Sequence, residues 1–280
     1  MSGTRLKVNQ CILEGNVATT LGGGIHATAD SQLQVSNCLI QDNSATSSGS
    51  TCGGGGIAIG SNTDALIEDS EFLRNYGMCR GGGINVASFV NSSAEIVNSH
   101  FEGNYSGGPG HASAGEMLIL SSTFERNGRE SDPDWEAVRG GGSSSQIQDS
   151  TIRNNYCGGV ADFQNGVVRC FILDNSGDGV AISAPISDSL IAGNERGISG
   201  STIVRDSLVQ DNDFVGIQGS GEILRCVISG NGNGGIVTTD TTVVENCLVY
   251  GNSGGEGGGI SVGADGSIIR YCTIVNNQAD

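Results

Sequence analysis

One arrangement of residues recurs twelve times along this chain and constrains what the chain can fold into. Each copy is an asparagine with an apolar residue three positions before it and cysteine or serine five positions before it; the first is Cys11, Leu13 and Asn16. Internal repeats with periods of roughly 20 to 50 residues are typical of solenoids, propellers and repeat arrays. The repeated asparagines are Asn16, Asn43, Asn75, Asn104, Asn127, Asn155, Asn175, Asn194, Asn212, Asn231, Asn252 and Asn277.

Runs of glycine followed by isoleucine or valine form a second signature, placed after most of the repeated asparagines. Examples are Gly22 to Ile25, Gly81 to Ile84 and Gly257 to Ile260. With 47 glycines in 280 residues, no stretch keeps the 3.6-residue period of an amphipathic helix without interruption. Short apolar triplets between glycine and asparagine instead predict short β-strands joined by tight corners.

Strands this short cannot bury a hydrophobic face alone, so we expect successive repeats to stack as coils of a single-stranded parallel β-solenoid. At ~4.8 Å per coil, twelve coils predict a rod on the order of 55–60 Å long. Equivalent residues then form columns along the rod. The asparagines are predicted to lie at a corner where each amide bonds the backbone and the amides above and below it. The cysteine or serine position is predicted to be a small inward site.

The two signatures together resemble those of right-handed parallel β-helix repeat proteins of pectate-lyase-like fold, and especially the repeats of polymorphic outer-membrane protein passengers. The resemblance runs from Cys11 to Asn277. It implies one all-β domain, a right-handed parallel β-helix over residues 1–280. The spacing of the repeated asparagines divides this domain into long-loop coils in 1–140 and short regular coils in 141–280. Because no polar caps are visible at the ends, the chain is expected to be a piece of a longer protein. The resemblance implies no single activity, since the fold hosts lyases, hydrolases, epimerases, adhesins and tailspikes alike.

The extra length of the first-half coils falls between the repeated asparagine and the glycine–isoleucine signature, so the insertions stack on one edge of the rod. Insertions on one face of a solenoid commonly build its binding surface, although tolerated loop drift is the alternative. Trp135 beside carboxylates and arginine is a candidate sugar platform; the other interpretation is a solvated acidic loop with Trp135 folded back on the rod. The candidate ligand-binding residues are His26, Arg80, Asn85, His111, Asp132, Asp134, Trp135 and Arg139.

The charge of the chain argues against several partners. The formal net charge is −17 and Lys7 is the single lysine, so basic clusters for nucleic acid or an anionic membrane surface are missing. The Asp-Asp, Gly-His-Gly and Arg-Ile-Lys motifs of polygalacturonase-type hydrolases are absent, as are the tryptophan and histidine signatures of pectate lyases. Repulsion between −17 charges and a polyuronate also weighs against a lyase, unless bound Ca²⁺ reverses the local field.

No metal site or cofactor is predicted, apart from Ca²⁺ if the protein is a lyase. His26, His100 and His111 fall in different coils without ligand spacing.

Cys52 and Cys79 lie at equivalent positions in adjacent coils, within the Cα separation that a disulfide requires, and they are predicted to pair. The cysteines that share the column with serine are expected to be buried free thiols.

Two functions remain open. The first is a non-catalytic secreted or cell-surface domain for binding, adhesion or structural display. The alternative is a polysaccharide-acting enzyme, a lyase or glycoside hydrolase, with its cleft among the long loops of the first half. An export setting would permit the predicted disulfide, and no apolar run is long enough to span a membrane. The expected partner is a polysaccharide or a surface protein.

A stripe of apolar residues forms a further candidate docking surface. The residue after the cysteine or serine should point outward, because neighbouring strand residues alternate in direction. In coils seven to eleven this position is apolar, which predicts a patch of a few hundred Å², near the size that marks interaction surfaces. The alternatives are β-propensity alone or a turn that rotates these side chains inward. The stripe is Phe171, Leu190, Leu208, Val227 and Leu248.

Overall fold

The computed structural model describes residues 4–28, 30–46, 53–87, 91–130, 135–200, 202–255 and 257–279. Within these ranges the regular structure is β-strand, and every named strand pair is parallel. Each coil contributes one strand to each of two twelve-stranded sheets, and the remaining strands form one four-stranded and one eleven-stranded sheet. The prediction of an all-β parallel solenoid of about twelve coils is confirmed.

The strands are grouped here by sheet, in chain order. Sheet I contains Arg5–Asn9, Gln32–Ser36, Asp64–Glu68, Ser93–Val97, Met117–Leu120, Gln146–Gln148, Val167–Val168, Ile186–Ser187, Thr202–Arg205, Gly221–Leu224, Thr242–Glu245 and Ile268–Arg270. Sheet II contains Ile12–Glu14, Leu39–Gln41, Glu71–Leu73, His100–Glu102, Thr123–Glu125, Thr151–Arg153, Phe171–Leu173, Leu190–Ala192, Leu208–Gln210, Val227–Ser229, Leu248–Tyr250 and Thr273–Val275. Sheet III contains Val17–Ala18, Ser44–Ala45, Tyr76–Gly77 and Tyr105–Ser106. Sheet IV contains Ile25–Ala27, Ile57–Ile59, Ile84–Val86, Ser113–Gly115, Glu136–Gly140, Gly158–Ala161, Val180–Ala181, Ile198–Ser199, Ile217–Gln218, Ile236–Thr238 and Ile260–Val262.

Two left-handed residues bend each coil on either side of sheet II. One directly precedes the cysteine or serine, as at Asp149 (φ 54°), and the other directly precedes the asparagine, as at Asp174 (φ 53°). Aspartate and asparagine tolerate this conformation better than other residues with a side chain, which explains their frequency at both corners. The three-residue strands of sheet II therefore present their first and third side chains outward and their middle side chain inward.

The interior of the rod is a continuous column of apolar side chains. In coils two to eleven the middle residues of sheet II are fully buried, and three of them, Phe72, Phe101 and Phe124, stack with ring centroids 4.6 Å apart. Burial fades at the end coils, where the inward Leu13 is half-buried and the inward Ile274 is 46% exposed. Each coil is thus stabilised by the coils on both of its sides.

The repeated asparagines form one hydrogen-bonded ladder along the rod. Asn104 is typical: its backbone N–H and its Nδ2 both donate to Oδ1 of Asn127, at 3.0 and 3.1 Å. Its Nδ2 also donates to the backbone oxygen of Phe72 in the preceding coil, at 2.7 Å. The amide-to-amide bond continues without a break from Asn16 to Asn277, at 2.7 to 3.2 Å.

This ladder also explains the glycine in the second signature. A Cβ on Gly179 would lie 2.8 Å from Nδ2 of Asn194, and a Cβ on Gly216 would lie 2.7 Å from Nδ2 of Asn231. The amide of the next coil occupies the space that a side chain would need. In these coils the glycine before the inward isoleucine or valine therefore leaves room for the asparagine column and for the backbone of the next coil.

We predict that Asn104→Ala lowers the free energy of unfolding by about 2–4 kcal/mol, because buried donors and acceptors on three coils lose their partner. Asn16→Ala is the matched control, since Asn16 is the exposed end of the same ladder, and its cost should stay below about 1 kcal/mol. Urea unfolding followed by circular dichroism measures both. Equal losses for the two variants would contradict a role for burial in the ladder.

The cysteines differ in their surroundings. Cys79 is disulfide-bonded; its predicted partner, Cys52, lies outside the described residues. Of the predicted column thiols, Cys38, Cys170, Cys226 and Cys247 are buried, whereas Cys272 is half-buried and Cys11 is exposed because it lies in the first coil. Burial raises the pKa of the Cys170 thiol to about 11, so this thiol is unreactive at neutral pH.

The pairing of Cys79 can be tested directly. We expect non-reducing peptide mapping by mass spectrometry to find Cys79 linked to Cys52 after the free thiols are alkylated. The buried Cys170, alkylated only after denaturation, serves as the internal control for a free thiol. Cys79 linked to another cysteine, or alkylated without reduction, would overturn this pairing.

Candidate functional site

The first candidate surface is the outer face of sheet IV, where three predicted residues lie in one column. Strand pairing aligns His26, Asn85 and Arg139, with Ala58 and Ala114 on the rungs between them. Two rungs separate successive members, which is about 10 Å. The structure therefore brings these three residues onto one line but not into contact with one another.

The other predicted ligand-binding residues lie in different surroundings or outside the described residues. Arg80 and Trp135 are exposed, and Trp135 directly precedes the strand that carries Arg139. Asp132 and Asp134 lie outside the described residues.

The assignment of His111 to an exposed binding loop is wrong. The side chain is fully buried, and its ring stacks on Tyr105 with centroids 5.4 Å apart. Its Nδ1 accepts a hydrogen bond from the backbone N–H of Ser106, at 3.1 Å. The insertion folds back over the rod, so this histidine packs into the structure and does not reach a ligand.

Arg139 forms ion pairs with two carboxylates. Its guanidinium donates to Glu136, at 2.9 Å, and also pairs with Asp162 in the next coil. Burial raises the pKa of Glu136, against the opposing effect of Arg139. A carboxyl with a raised pKa beside a second carboxylate is the pattern of an acid–base pair. Here the guanidinium occupies the space between them that a substrate would need.

The second candidate surface is the outer face of sheet II, where side chains from three adjacent coils form a charged cluster. Nε2 of His100 lies 3.4 Å from Oε2 of Glu102 and 3.9 Å from Oε1 of Glu125. Arg126 bonds both carboxylates, at 2.9 and 3.0 Å, and Arg153 bonds Glu125, at 2.7 Å. These five residues, His100, Glu102, Glu125, Arg126 and Arg153, are called the charged cluster below.

Glu125 is the centre of this cluster and is held in its charged form. Its side chain is 10% exposed. Burial alone would raise the pKa of Glu125, but the hydrogen bond from Arg153 and the charges of Arg153, Arg126 and His100 outweigh it and place the pKa below its ordinary value. A general acid at neutral pH needs the opposite shift.

The same cluster contains the one group of potential metal ligands found in the described part of the chain. One ligand atom from each of His100, Glu102 and Glu125 lies within 4.8 Å of the others. Both carboxylates already accept hydrogen bonds or ion pairs from arginine, at 2.7 to 3.0 Å. A cation would have to displace two guanidinium groups, so the donor set does not fit a metal.

Further along the same face, the predicted apolar stripe points outward. Its members pair rung by rung in one column, and Phe171 is 52% exposed and Leu248 36% exposed, while the three between them are half-buried. The outward register proposed for this column is therefore the one that the structure has. The charged cluster and the apolar stripe are two parts of one surface.

Comparison with known proteins identifies the fold. The profile of a family described as right handed beta helix region matches residues 23–195 and 136–279. The chain belongs to the right-handed β-helix family. Two crystal structures of the periplasmic alginate epimerase AlgG, one of them a mutant, are similar to this β-helix, with TM-scores of 0.55 and 0.54 and 13% and 12% sequence identity. Each match covers 97% of this chain and 73% of the epimerase chain, and at such identity it shows the fold alone.

The predicted right-handed β-helix is thereby confirmed. Curated protein sequences contain no match to this β-helix. Among its described residues, no helix is long and apolar enough to cross a membrane.

One hydrolase motif does occur in this β-helix. Asn62, Thr63 and Asp64 form the Asn-Thr-Asp sequence found in polygalacturonase-type hydrolases. Thr63 is fully buried, and Asp64 begins a strand of sheet I, where its Oδ1 accepts a hydrogen bond from Ser93, at 2.9 Å. The other three motifs of those enzymes are absent from the sequence.

The charged cluster is the part of the surface that sequence reasoning missed. Its members come from three coils, and Glu102, Glu125 and Arg153 are aligned only by the pairing of their strands. The register of the repeat contains a usable signal, because all three lie at the third position of their sheet II strands, two residues before the repeated asparagine of their coil. Aligning the outward residues of sheet II from coil to coil would have placed Glu125 next to Arg153.

We predict that Glu125→Gln lowers the free energy of unfolding by about 1–3 kcal/mol at neutral pH, because one arginine loses a buried acceptor and two lose the negative charge that they pair with. A carboxylate with a lowered pKa contributes stability above its ordinary pKa of about 4.5, and this contribution is lost as the pH falls through the folded-state value. The difference between wild type and variant should therefore shrink below pH 4.5.

Urea unfolding at a series of pH values measures this difference. Glu71→Gln is the control, because Glu71 is an exposed carboxylate on the rung next to His100 and has no ion pair with another described residue. Its effect should stay within about 0.5 kcal/mol. A pH-independent difference for Glu125→Gln would contradict the proposed ionisation of Glu125.

Proposed function

We propose that this β-helix is a non-catalytic, secreted or cell-surface domain that binds a polysaccharide on the outer face of sheet II. The observation that carries this proposal is the surface itself. Charged side chains of coils four to six and apolar side chains of coils seven to eleven follow one another along one sheet face. Binding surfaces for small or extended ligands combine apolar contact area with a few placed polar groups.

The electrostatics of the carboxylates favour binding over catalysis. Glu125 has a lowered pKa and is bonded to Arg153, so it is a poor proton donor at neutral pH. Glu136 has a raised pKa, but Arg139 lies between it and Asp162. Neither carboxylate combines a suitable proton affinity with open space for a sugar.

The structural neighbours support a carbohydrate ligand and an exported location. AlgG is named as a periplasmic alginate epimerase, so the same fold acts on a polysaccharide outside the cytoplasm in that protein. The disulfide of Cys79 agrees with an oxidising compartment, where such bonds persist. The non-catalytic part of the proposal is supported by the pKa shifts and the ion pairs of Glu125 and Glu136.

Affinity electrophoresis tests the proposal. Gels containing alginate, polygalacturonate, xylan, galactomannan or hydroxyethylcellulose should retard the wild-type protein in at least one case. Leu208→Arg, in the middle of the apolar stripe, should abolish the retardation. Leu66→Arg is the matched control, because Leu66 is a half-buried outward leucine on sheet I, and it should bind as the wild type does.

The same polymers, incubated with the protein with and without Ca²⁺, should yield no new reducing ends, unsaturated uronate or change in uronate configuration. A product that His100→Ala abolishes would overturn the non-catalytic role in favour of a polysaccharide-acting enzyme. Absence of retardation by every polymer would overturn carbohydrate binding.

A further inference from the structure

The outward residues in the second half of sheet II form a surface whose chemistry favours one class of polysaccharide. Its first outward row is the apolar stripe, and its second row, two residues further along each strand, runs from Leu173 to Tyr250. Phe171 and Tyr250, 52% and 41% exposed, lie at opposite ends. The two rows, called the strip below, are Phe171, Leu190, Leu208, Val227, Leu248 and Leu173, Ala192, Gln210, Ser229, Tyr250.

The size of the strip selects its occupant. Five rungs at ~4.8 Å span roughly 20 Å, and a three-residue strand is about 10 Å wide, so the strip offers on the order of 200 Å². A stable protein interface buries about 800 Å² on each partner. A second copy of this rod is therefore poorly matched, whereas a single extended polymer lying along the rod axis fits.

The backbone of the strip also excludes a peptide that binds by adding a strand. The strands of sheet II are paired on both sides with the coils above and below, as Leu208–Gln210 is with its two neighbours. No unpaired strand edge lies within the strip, so strand addition has no template there. The ligand must instead present an apolar face to the floor and its polar groups to the sides, as a pyranose chain does with its C–H faces and its hydroxyls.

Charged corners flank the strip on both sides. On one side Arg169 is bonded to Asp149 through two hydrogen bonds, at 2.6 and 2.7 Å, and Arg225 is bonded to Asp206 in the same way, at 2.7 and 2.6 Å. These bonds hold the pKa of Asp149 and of Asp206 below the ordinary value, so both pairs are ionised and neutral overall. Neither arginine is left to attract an anion.

Three carboxylates remain around the strip without an ion pair to any described residue. Asp188 lies between the two pairs, and Asp174 and Asp211 lie on the opposite corner. The coil that follows each of the latter two has glycine at the corner, Gly193 and Gly230, and a side chain there would collide with the carboxylate. The carboxylates thus lie along the edge of the strip, where they repel polyanions and accept hydrogen bonds from hydroxyl groups.

We propose that the strip binds one extended neutral glycan chain of about four to five sugar units, aligned with the rod axis, and rejects polyuronates. The spacing of ~4.8 Å between rungs places an apolar contact beneath each successive sugar. Phe171 and Tyr250 stack on sugars at the two ends, and Asp174, Asp188 and Asp211 accept hydroxyl hydrogens. This inference rests on the proposed function and assigns it a ligand class.

Isothermal titration calorimetry with defined hexasaccharides tests the inference. The probes are cellohexaose, xylohexaose and mannohexaose, against hexagalacturonate and hexamannuronate. At least one neutral hexamer should bind, and neither uronate hexamer should bind as tightly. Phe171→Ala and Tyr250→Ala should each weaken binding about tenfold, since loss of a stacked ring costs about 1.4 kcal/mol.

Two matched substitutions control for loss of an exposed ring in general. Phe214→Ala and Tyr271→Ala remove rings that are 46% and 78% exposed outside the strip, and both variants should bind as the wild type does. Asp188→Asn with Asp174→Asn should raise affinity for the uronate hexamers, because the repulsion is reduced, and lower affinity for the neutral hexamer.

The contrary outcomes separate this inference from the proposed function. Tighter binding of a uronate hexamer, lost in Arg153→Ala and retained in Phe171→Ala, would overturn the neutral-glycan strip and leave polysaccharide binding at the charged cluster intact. Binding of neither hexamer class, together with no retardation by any polymer, would overturn both.

Discussion

The asparagine ladder is the interaction on which the rest of this structure depends. Each amide joins three coils, because it donates to the next asparagine and to a backbone carbonyl of the preceding coil. The column is buried, where an unsatisfied amide costs about 1–3 kcal/mol, so a shift in register of one coil would be strongly unfavourable. The ladder thereby aligns every outward residue with its equivalent in the adjacent coils, and it requires glycine where the next amide approaches the backbone.

Because equivalent residues of successive coils lie in columns, a charged residue repeated at one position would place like charges next to one another. Residues of opposite charge on adjacent rungs avoid this. The chain meets this constraint repeatedly with an acid on one rung and arginine on the next, as in Asp42–Arg74, Asp206–Arg225 and Glu245–Arg270. Exposed pairs of this kind contribute only about 0–1 kcal/mol each. Their main effect is to remove repulsion that a column of carboxylates would create in a chain of net charge −17. Arginine in this protein is therefore largely committed to neighbouring coils.

The repeat predicts the fold in detail because its signals are local and periodic. The asparagine column, the glycine beside it and the outward apolar stripe all follow from one register. The charged cluster was not predicted, because Glu102, Glu125 and Arg153 are far apart in sequence and their ion pairs depend on how side chains from different coils bend toward one another. His111 was misassigned for a related reason: its insertion has no repeat to define its path, and the ring is recruited into a stack with Tyr105.

The arrangement of charged residues differs between the two halves of sheet II. The outer face of this sheet therefore has two chemical environments. Around Glu125, Arg153 lies on the sheet face and Arg126 lies at the corner, and both guanidinium groups remain about half exposed beside the carboxylates they bond. Around the strip Arg169 and Arg225 lie at the corner and are paired there, while the first row of the face between the corners is apolar. The depression on this face, lined by Phe171, Leu190 and Leu208 and by the corner residues Arg169 and Asp188, is open to solvent. The corner residues, held in left-handed conformations by the turns of the coil, therefore set the charge along both edges of this face.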